Sequence, residues 1–374
     1  MTAAARSMPG LDGLRALACL MVFLVHFGQK TALQGHWGPF DLARLLANGN
    51  TGVALFFSLS GFLLSLPHWS SMRDAQPLPG VSRFYLLRLA RVAPAFYGCL
   101  AALVVGNQLW LEVGWQRDVG LHGLFLFNLT EHTTLSINPA FWTMAVEVQF
   151  YLLMPWLFRL LRGSDVRRAA IANAVLAALA YLAHATLVEL AVLPTVVTTY
   201  SLLAHLPHFL MGVATAGLLS ARRTAPEGGG DRHGLLGLAA TLLLLVILGT
   251  PLGDWLQLPY GRYHLPVVPA LLCLLIVLAA QRRPGWRLLE TRPLQAIGTV
   301  SYGIYLCHLP VLNVVARQLP ALGLDPRQHW ALYGLSSLAL TLAVATLSYL
   351  VVERRVLRAA RRWLDRPRVV SSPP

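Results

Sequence analysis

Long apolar runs without a charged residue, separated by short clusters of arginine, constrain this chain more than any other feature. Leu235 to Leu248, Leu265 to Ala280 and Leu332 to Val352 contain no Asp, Glu, Lys or Arg. They approach or reach the roughly 20 residues a helix needs to cross about 30 Å of hydrocarbon. Charged residues make up 12% of the 374 and hydrophobic residues 56%, with a mean hydropathy of +0.58, whereas a soluble domain carries about a quarter charged residues. Lipid is therefore the main solvent, and the fold class expected is all-α, a polytopic membrane helix bundle.

The pattern predicts ten spans, at 14–32, 51–67, 84–106, 140–158, 169–193, 196–220, 234–253, 264–281, 296–319 and 330–352. A further stretch, Val119 to Leu129, is too short to cross straight. Charge decides how that stretch counts. With it at the outer surface and the N-terminus in the cytoplasm, the inside collects Arg6, Arg15, the arginines of 73–91 and 159–168, Arg222, Arg223, Arg232, the arginines of 282–292 and those of the tail. Only Lys30, Arg44, Arg117, Arg262, Arg317 and Arg327 stay outside. Counting it as a span would turn one basic half to the wrong face. About ten transmembrane helices with both termini cytoplasmic is the expected topology.

The net charge of +14 follows from this inside bias. The basic clusters lack the aromatic interleaving of a base-stacking surface, so nucleic acid is not an expected partner. The N-terminal region has the basic start and apolar stretch of a signal peptide, but Asp12 and Arg15 interrupt it and no small-residue cleavage site follows. It reads as a retained first span. Cys19, Cys99, Cys273 and Cys307 lie inside apolar runs without a CxxC pair or metal spacing, as small packing residues do. The hydrophilic stretches 67–83 and 221–234 are loops of ordinary length. Residues 1–355 read as one membrane domain and 356–374 as a cytoplasmic basic tail, in which arginines alternate with Val356, Leu357 and Trp363 as in a helix lying on an anionic leaflet.

An ionisable residue inside a span is costly, so each one is a functional candidate. Arg15 and His26 stand eleven residues apart in the first span. At about 100° per residue they share a face, about 16 Å apart along the axis. That is too far for direct contact and suits the two ends of one long ligand. The third span opens with Arg83, Arg88 and Arg91 before Pro94, level with Arg15. Snorkelling to lipid phosphates explains most arginines at helix ends and is the reading charge alone favours. A bidentate phosphate clamp is the alternative, for which guanidinium geometry is well suited.

Counting along the helices places His26, Glu147 and Ser60 about 10 to 13 Å from the outer surface, and His308 about 18 Å from the inner one. An imidazole and a carboxylate in one layer are what activation of a hydroxyl requires: the histidine takes the proton and the acid orients or charges the ring. A plain interhelical hydrogen bond is the alternative for both, and packing is the favoured role for Tyr302, Tyr305 and His308. His205 and His208, with Pro207 between them, form only a weak metal pair, and no metal is expected.

Several motifs occur in order between about residues 8 and 355. They are Leu11-Asp12-Gly13-Leu14-Arg15 followed by His26; Phe56-Phe57-Ser58-Leu59-Ser60-Gly61-Phe62; Arg88-Leu89-Ala90-Arg91; Phe141 to Glu147 with Phe150-Tyr151; and Ser301 to His308. Together they resemble the acyltransferase 3 family. The resemblance implies a bacterial ten-helix enzyme of the inner, cytoplasmic membrane. Such an enzyme moves an acyl group, commonly acetyl from acetyl-CoA, to a hydroxyl, most often on a surface carbohydrate such as lipopolysaccharide or another envelope polysaccharide. By motif, Arg15 and His26 match the family's first-helix pair, Arg88 and Arg91 its paired arginines, and Glu147 its intramembrane acid. Asp12, Ser60, Trp142, Tyr302, Tyr305 and His308 join them as supporting or substrate-facing positions. Two departures stand out. Trp142-Thr143 replaces the usual Trp-Ser and keeps a hydroxyl, while Glu353-Arg354-Arg355 runs into Val356 where the family has an acid-basic-proline triplet. Many relatives carry an extracytoplasmic hydrolase-like domain; lacking one, this chain is expected to finish the transfer itself or pass its product to a partner.

The function expected is O-acyl transfer, with His26 as general base, Glu147 supporting it, and Arg15, Arg88 and Arg91 binding coenzyme A. A macrolide or another small-molecule acceptor is the alternative within the same class. A transporter or flippase is the rival from another class, opposed by the lack of repeat symmetry and of Gly/Pro-broken helix pairs.

Overall fold

The computed structural model describes residues 8–222, 230–252, 267–281 and 286–366. Arg6, Arg223, Arg262, Arg282, Arg283, the side chain of Arg232 and the tail beyond Arg366, all used in the charge assignment, lie outside the described residues. Among the described residues, regular secondary structure is helical apart from one small antiparallel hairpin, β1 (His36–Trp37) with β2 (Phe40–Asp41). The helices are α1 (Pro9–Thr31), α2 (Leu42–Ala47), α3 (Thr51–Arg73), α4 (Val81–Gly106), α5 (Trp115–Gly123), α6 (Trp142–Leu160), α7 (Val166–Glu189) and α8 (Thr195–Thr199). They continue with α9 (Leu202–Ala221), α10 (Gly230–Gly249), α11 (Val267–Ala280), α12 (Arg292–Thr299), α13 (Ser301–Gln318), α14 (Trp330–Ser348), a π-helical turn (Tyr349–Glu353) and α15 (Arg354–Leu364).

Among the described residues, helix occurs in each of the ten expected apolar stretches, yet fewer than ten qualify as spans by length and composition. Pro9–Thr31, Leu42–Arg73, Val81–Gly106, Val166–Glu189, Thr195–Ala221 and Trp330–Leu364 are long and apolar enough to cross a membrane. A seventh span results if Arg292–Thr299 and Ser301–Leu322, bent by 74°, count as one. Leu235–Gly249 and Val267–Ala280 are apolar but shorter, and α6 carries Glu147 and Gln149 within its 19 residues. The stretch Val119 to Leu129 is split: α5 ends at Gly123, Phe125 adopts φ 57°, and a 3₁₀ turn covers Phe127–Leu129.

Burial separates inner from outer helices. Of the most apolar window, 61% is buried in α1 and 72% in Leu42–Arg73, against 17% in α7 and in Trp330–Leu364. The outer helices therefore present leucines to lipid, while α1 and α3 run through the core. Without a hydrophobic drive between helices in lipid, close backbone approach supplies the packing energy. The α3–α9 crossing uses it fully. A Cβ on Gly61 would lie 2.0 Å from the Phe209 carbonyl oxygen, and one on Gly212 would lie 2.1 Å from that of Ser58. Trp69 pins the same pair by donating its indole N–H to the Val213 carbonyl at 3.0 Å. Proline shapes the neighbouring wall. Pro310 has no N–H for the Leu306 carbonyl one turn earlier, and that oxygen instead accepts from Asn138 Nδ2 at 3.1 Å and from Cys99 Sγ at 3.6 Å.

Candidate active site

A cavity of about 320 Å³ opens between α1, α3, α4, α6, α13 and α15. Its polar lining comprises Arg15 from α1, Ser60 from α3, Arg88 and Arg91 from α4, Thr143, Glu147 and Tyr151 from α6, Ser301, Tyr302 and Tyr305 from α13, and Arg361 from α15. Helix periodicity explains the grouping. Arg88 and Arg91 are three apart on α4, and Glu147 and Tyr151 four apart on α6, so each pair shares a face. Apolar side chains such as Phe56, Leu63 and Leu87 complete the wall.

The polar residues divide into a bound acid and unpaired bases. Glu147 Oε1 accepts from Ser60 Oγ at 3.0 Å and from Tyr151 Oη at 2.5 Å. Two helices and two hydroxyls thus fix one carboxylate. Among the described residues, Arg15, Arg88 and Arg91 form no ion pair; the pairs present are Arg73–Asp74, Arg83–Asp365 and His122–Asp118. Arg88 Nε is buried without a hydrogen-bond partner. Arg15 feels the charges of Arg91, Asp12 and Glu147, so the cavity holds several cations against a carboxylate already committed to two hydroxyls. Such a site suits an anion with several charges.

His26 stands elsewhere. It is absent from the cavity lining; its Nδ1 lies 2.9 Å from Gln29 Oε1 and its ring centroid 5.2 Å from that of His308. His308 is 1% exposed, and its Nδ1 faces the carbonyls of Ile304 at 3.2 Å and Tyr305 at 2.7 Å. Carbonyls only accept, so Nδ1 carries the proton and Nε2, which has no partner, keeps a free lone pair. The neighbour expected for His26 was Glu147; the ring that packs against it is His308.

The other candidates fall around these two stations. Asp12 is in the electrostatic range of Arg15 and Arg91, beside the crossing where a Cβ on Gly298 would meet the Asp12 carbonyl at 2.0 Å. Trp142 lies outside the cavity, its ring tilted against His205 at 4.7 Å and Tyr200 at 4.9 Å and edge-on to Phe57 at 6.1 Å. Tyr302 donates to the Val92 carbonyl at 2.6 Å, tying α13 to α4. His205 packs with these aromatics and His208 stacks on His205, and among the described residues no three His, Cys, Asp or Glu side chains are placed to hold a metal.

Sequence reasoning named Tyr151, Thr143 and Glu353 only within motifs, without a place in the site, and left out Arg361. The four-residue step from Glu147 makes Tyr151 readable as its partner. Glu353 ends the last span in sequence, but the π-helical turn directs it inward to 1% exposure, in the field of Arg91 and Arg15. No local signal distinguishes Arg361 from the other arginines of the tail.

The motifs around these two stations are therefore those of one family, and the acyltransferase domain of that family matches residues 8–350. The chain belongs to the acyltransferase 3 family. It is 29% identical over 363 residues to a Komagataeibacter xylinus protein named as a membrane-bound transacylase, covering 92% of this chain and 81% of that one. It is 25% identical over 367 residues to a peptidoglycan O-acetyltransferase of Listeria monocytogenes, covering 92% of this chain and 55% of that protein. An acyltransferase of Streptomyces mycarofaciens is 32% identical over 183 residues, 45% of each chain. The chain thus spans about half the length of the Listeria relative. No solved structure matches it. Family membership and the apolar helices make this protein a multi-pass membrane acyltransferase.

Proposed function

We propose that this enzyme transfers an acetyl or other short acyl group from acyl-CoA to a hydroxyl of an envelope carbohydrate. It would do so in the inner membrane, as a ten-helix bundle with α6, α10 and α11 among its spans and both termini cytoplasmic. One observation carries the reading: three arginines without an ion pair converge on a single cavity, and the same helix that supplies Arg15 carries a histidine farther along. Arg15, Arg88 and Arg91 hold the phosphates of coenzyme A, whose arm runs toward His26. The curated relatives named as peptidoglycan O-acetyltransferases support a carbohydrate hydroxyl as acceptor.

In this reading His26 takes the proton of the acceptor hydroxyl. The oxygen attacks the thioester carbon, the carbon–sulfur bond breaks, and the proton leaves on the coenzyme A thiol. With Nδ1 donating to Gln29, the base is Nε2. His308, fixed in one tautomer, takes over the support expected from Glu147. Glu147 orders α3 against α6 and balances part of the arginine charge. The test is transfer from labelled acetyl-CoA by purified protein in detergent, where chemistry proceeds and transport across a membrane does not. His26→Ala, with normal membrane insertion, is expected to abolish transfer; retained turnover would overturn the base assignment.

A further inference from the structure

We propose that the C-terminal helix α15 is a wall of the donor site and that Arg361 binds the anionic end of the donor alongside Arg88 and Arg91. The inference rests on the acyl-CoA reading and extends it to a segment whose sequence reads as a lipid-surface tail. Leu357 and Arg361 line the cavity. They are four residues apart and so share one face of α15. Arg355 and Arg362, seven residues apart, share another face, turned by more than about 100° from the midpoint of Leu357 and Arg361 and absent from the cavity lining.

Two features hold the helix in this place. Its far end is tied to the start of α4 by the ion pair of Arg83 and Asp365 at 3.0 Å. Its near end adjoins the π-helical turn, which sets Glu353 inside the protein with neither carboxylate oxygen hydrogen-bonded. A π turn adds a residue to the helical path and re-aims the helix beyond it. Here that helix is the strongly basic α15. Arg361 is itself exposed and without an ion pair among the described residues, so it meets a ligand at the cavity mouth. A phosphate is the anion whose geometry matches converging guanidiniums. Coenzyme A and the headgroups of anionic lipids both carry one, and the donor is the source proposed.

The test uses the full chain in zwitterionic detergent with two donors, acetyl-CoA and S-acetylpantetheine, which has the thioester arm and no phosphate. Arg361→Ala is expected to raise KM for acetyl-CoA about tenfold, the loss of one charge-assisted contact. It should leave kcat within about twofold, leave S-acetylpantetheine kinetics unchanged, and be partly restored by Arg361→Lys. Arg355→Ala removes the same charge from the other face and should change neither donor. Equal effects of the two alanine variants, or an equal KM rise with S-acetylpantetheine, would overturn the proposal in favour of a lipid-facing or purely structural helix. If the unmodified protein transfers nothing from acetyl-CoA, the donor reading fails and this one with it; normal turnover with an unchanged KM in Arg361→Ala removes this one alone.

Discussion

Gly61→Ala is the smallest change that links the packing of this bundle to its chemistry. The new methyl would sit 2.0 Å from the Phe209 carbonyl oxygen, an immovable backbone atom of α9. Ordinary contact begins at 3.4 Å, so α3 and α9 must part by about 1.4 Å or deform. Overpacking of this kind costs about 1 to 3 kcal/mol. Ser60 is the adjacent residue, and its hydrogen bond to Glu147 is 3.0 Å long; half of that displacement carries it past the 3.5 Å limit of a hydrogen bond. A misplacement of about 1 Å in a substrate-positioning group, even away from the reacting atoms, can cost on the order of 100-fold in rate. The assay is paired: thermal unfolding of the purified variant in detergent, and acyl transfer at a temperature where the variant is still folded. Both should fall, transfer by about two orders of magnitude. A variant with unaltered unfolding and wild-type turnover would refute the argument that backbone contact at this crossing sets the position of Ser60.

Two further substitutions probe the cavity charges. Tyr151→Phe removes one of the two hydroxyls on Glu147 with little change of shape; kcat should fall roughly tenfold, in keeping with loss of a hydrogen bond to a charged group, and an unchanged kcat would show the bond to be incidental. Glu353→Gln keeps the side-chain shape and removes a buried negative charge facing Arg91 and Arg15. With the cavity more positive, KM for acetyl-CoA should fall by about twofold to tenfold, whereas a rise in KM would mean that Glu353 positions the arginines instead of competing for them.

The places of the helices were legible because apolar length is a local property. Their ends were less so. Pro67 looks like a stop in sequence, yet α3 continues through it to Arg73, since a membrane helix can satisfy a freed carbonyl from its neighbours. The break after Thr299 was hidden because α12 has a polar face and joins the apolar start of α13 without a glycine or proline between them. The arginine group was readable for a similar reason: helix rise gives depth, and Arg15, Arg88 and Arg91 share one. Depth gives no azimuth. Whether His26 turns toward α6 or α13 depends on how α1 packs, which rests on distant contacts such as Gly13 against Leu289 and Gly298 against Asp12. That is why Glu147 looked like the histidine's partner and His308 did not.

In the proposed mechanism the separation of the two stations has an electrostatic reason. A general base becomes a cation as it takes the proton, and a guanidinium nearby opposes that change. At an effective dielectric of about 20, two like unit charges about 4 Å apart repel by about 4 kcal/mol, and about 16 Å apart by about 1 kcal/mol. A histidine among Arg15, Arg88, Arg91 and Arg361 would meet that penalty several times over, while the same arginines are what a polyanionic donor needs. The eleven-residue step along α1 from Arg15 to His26 resolves the conflict, and the neutral ring of His308 beside the base adds an acceptor without adding a positive charge. In the same mechanism Glu147, held by two hydroxyls at the arginine end, serves the charge balance of the proposed donor cavity, and the proton chemistry is assigned to the histidine pair.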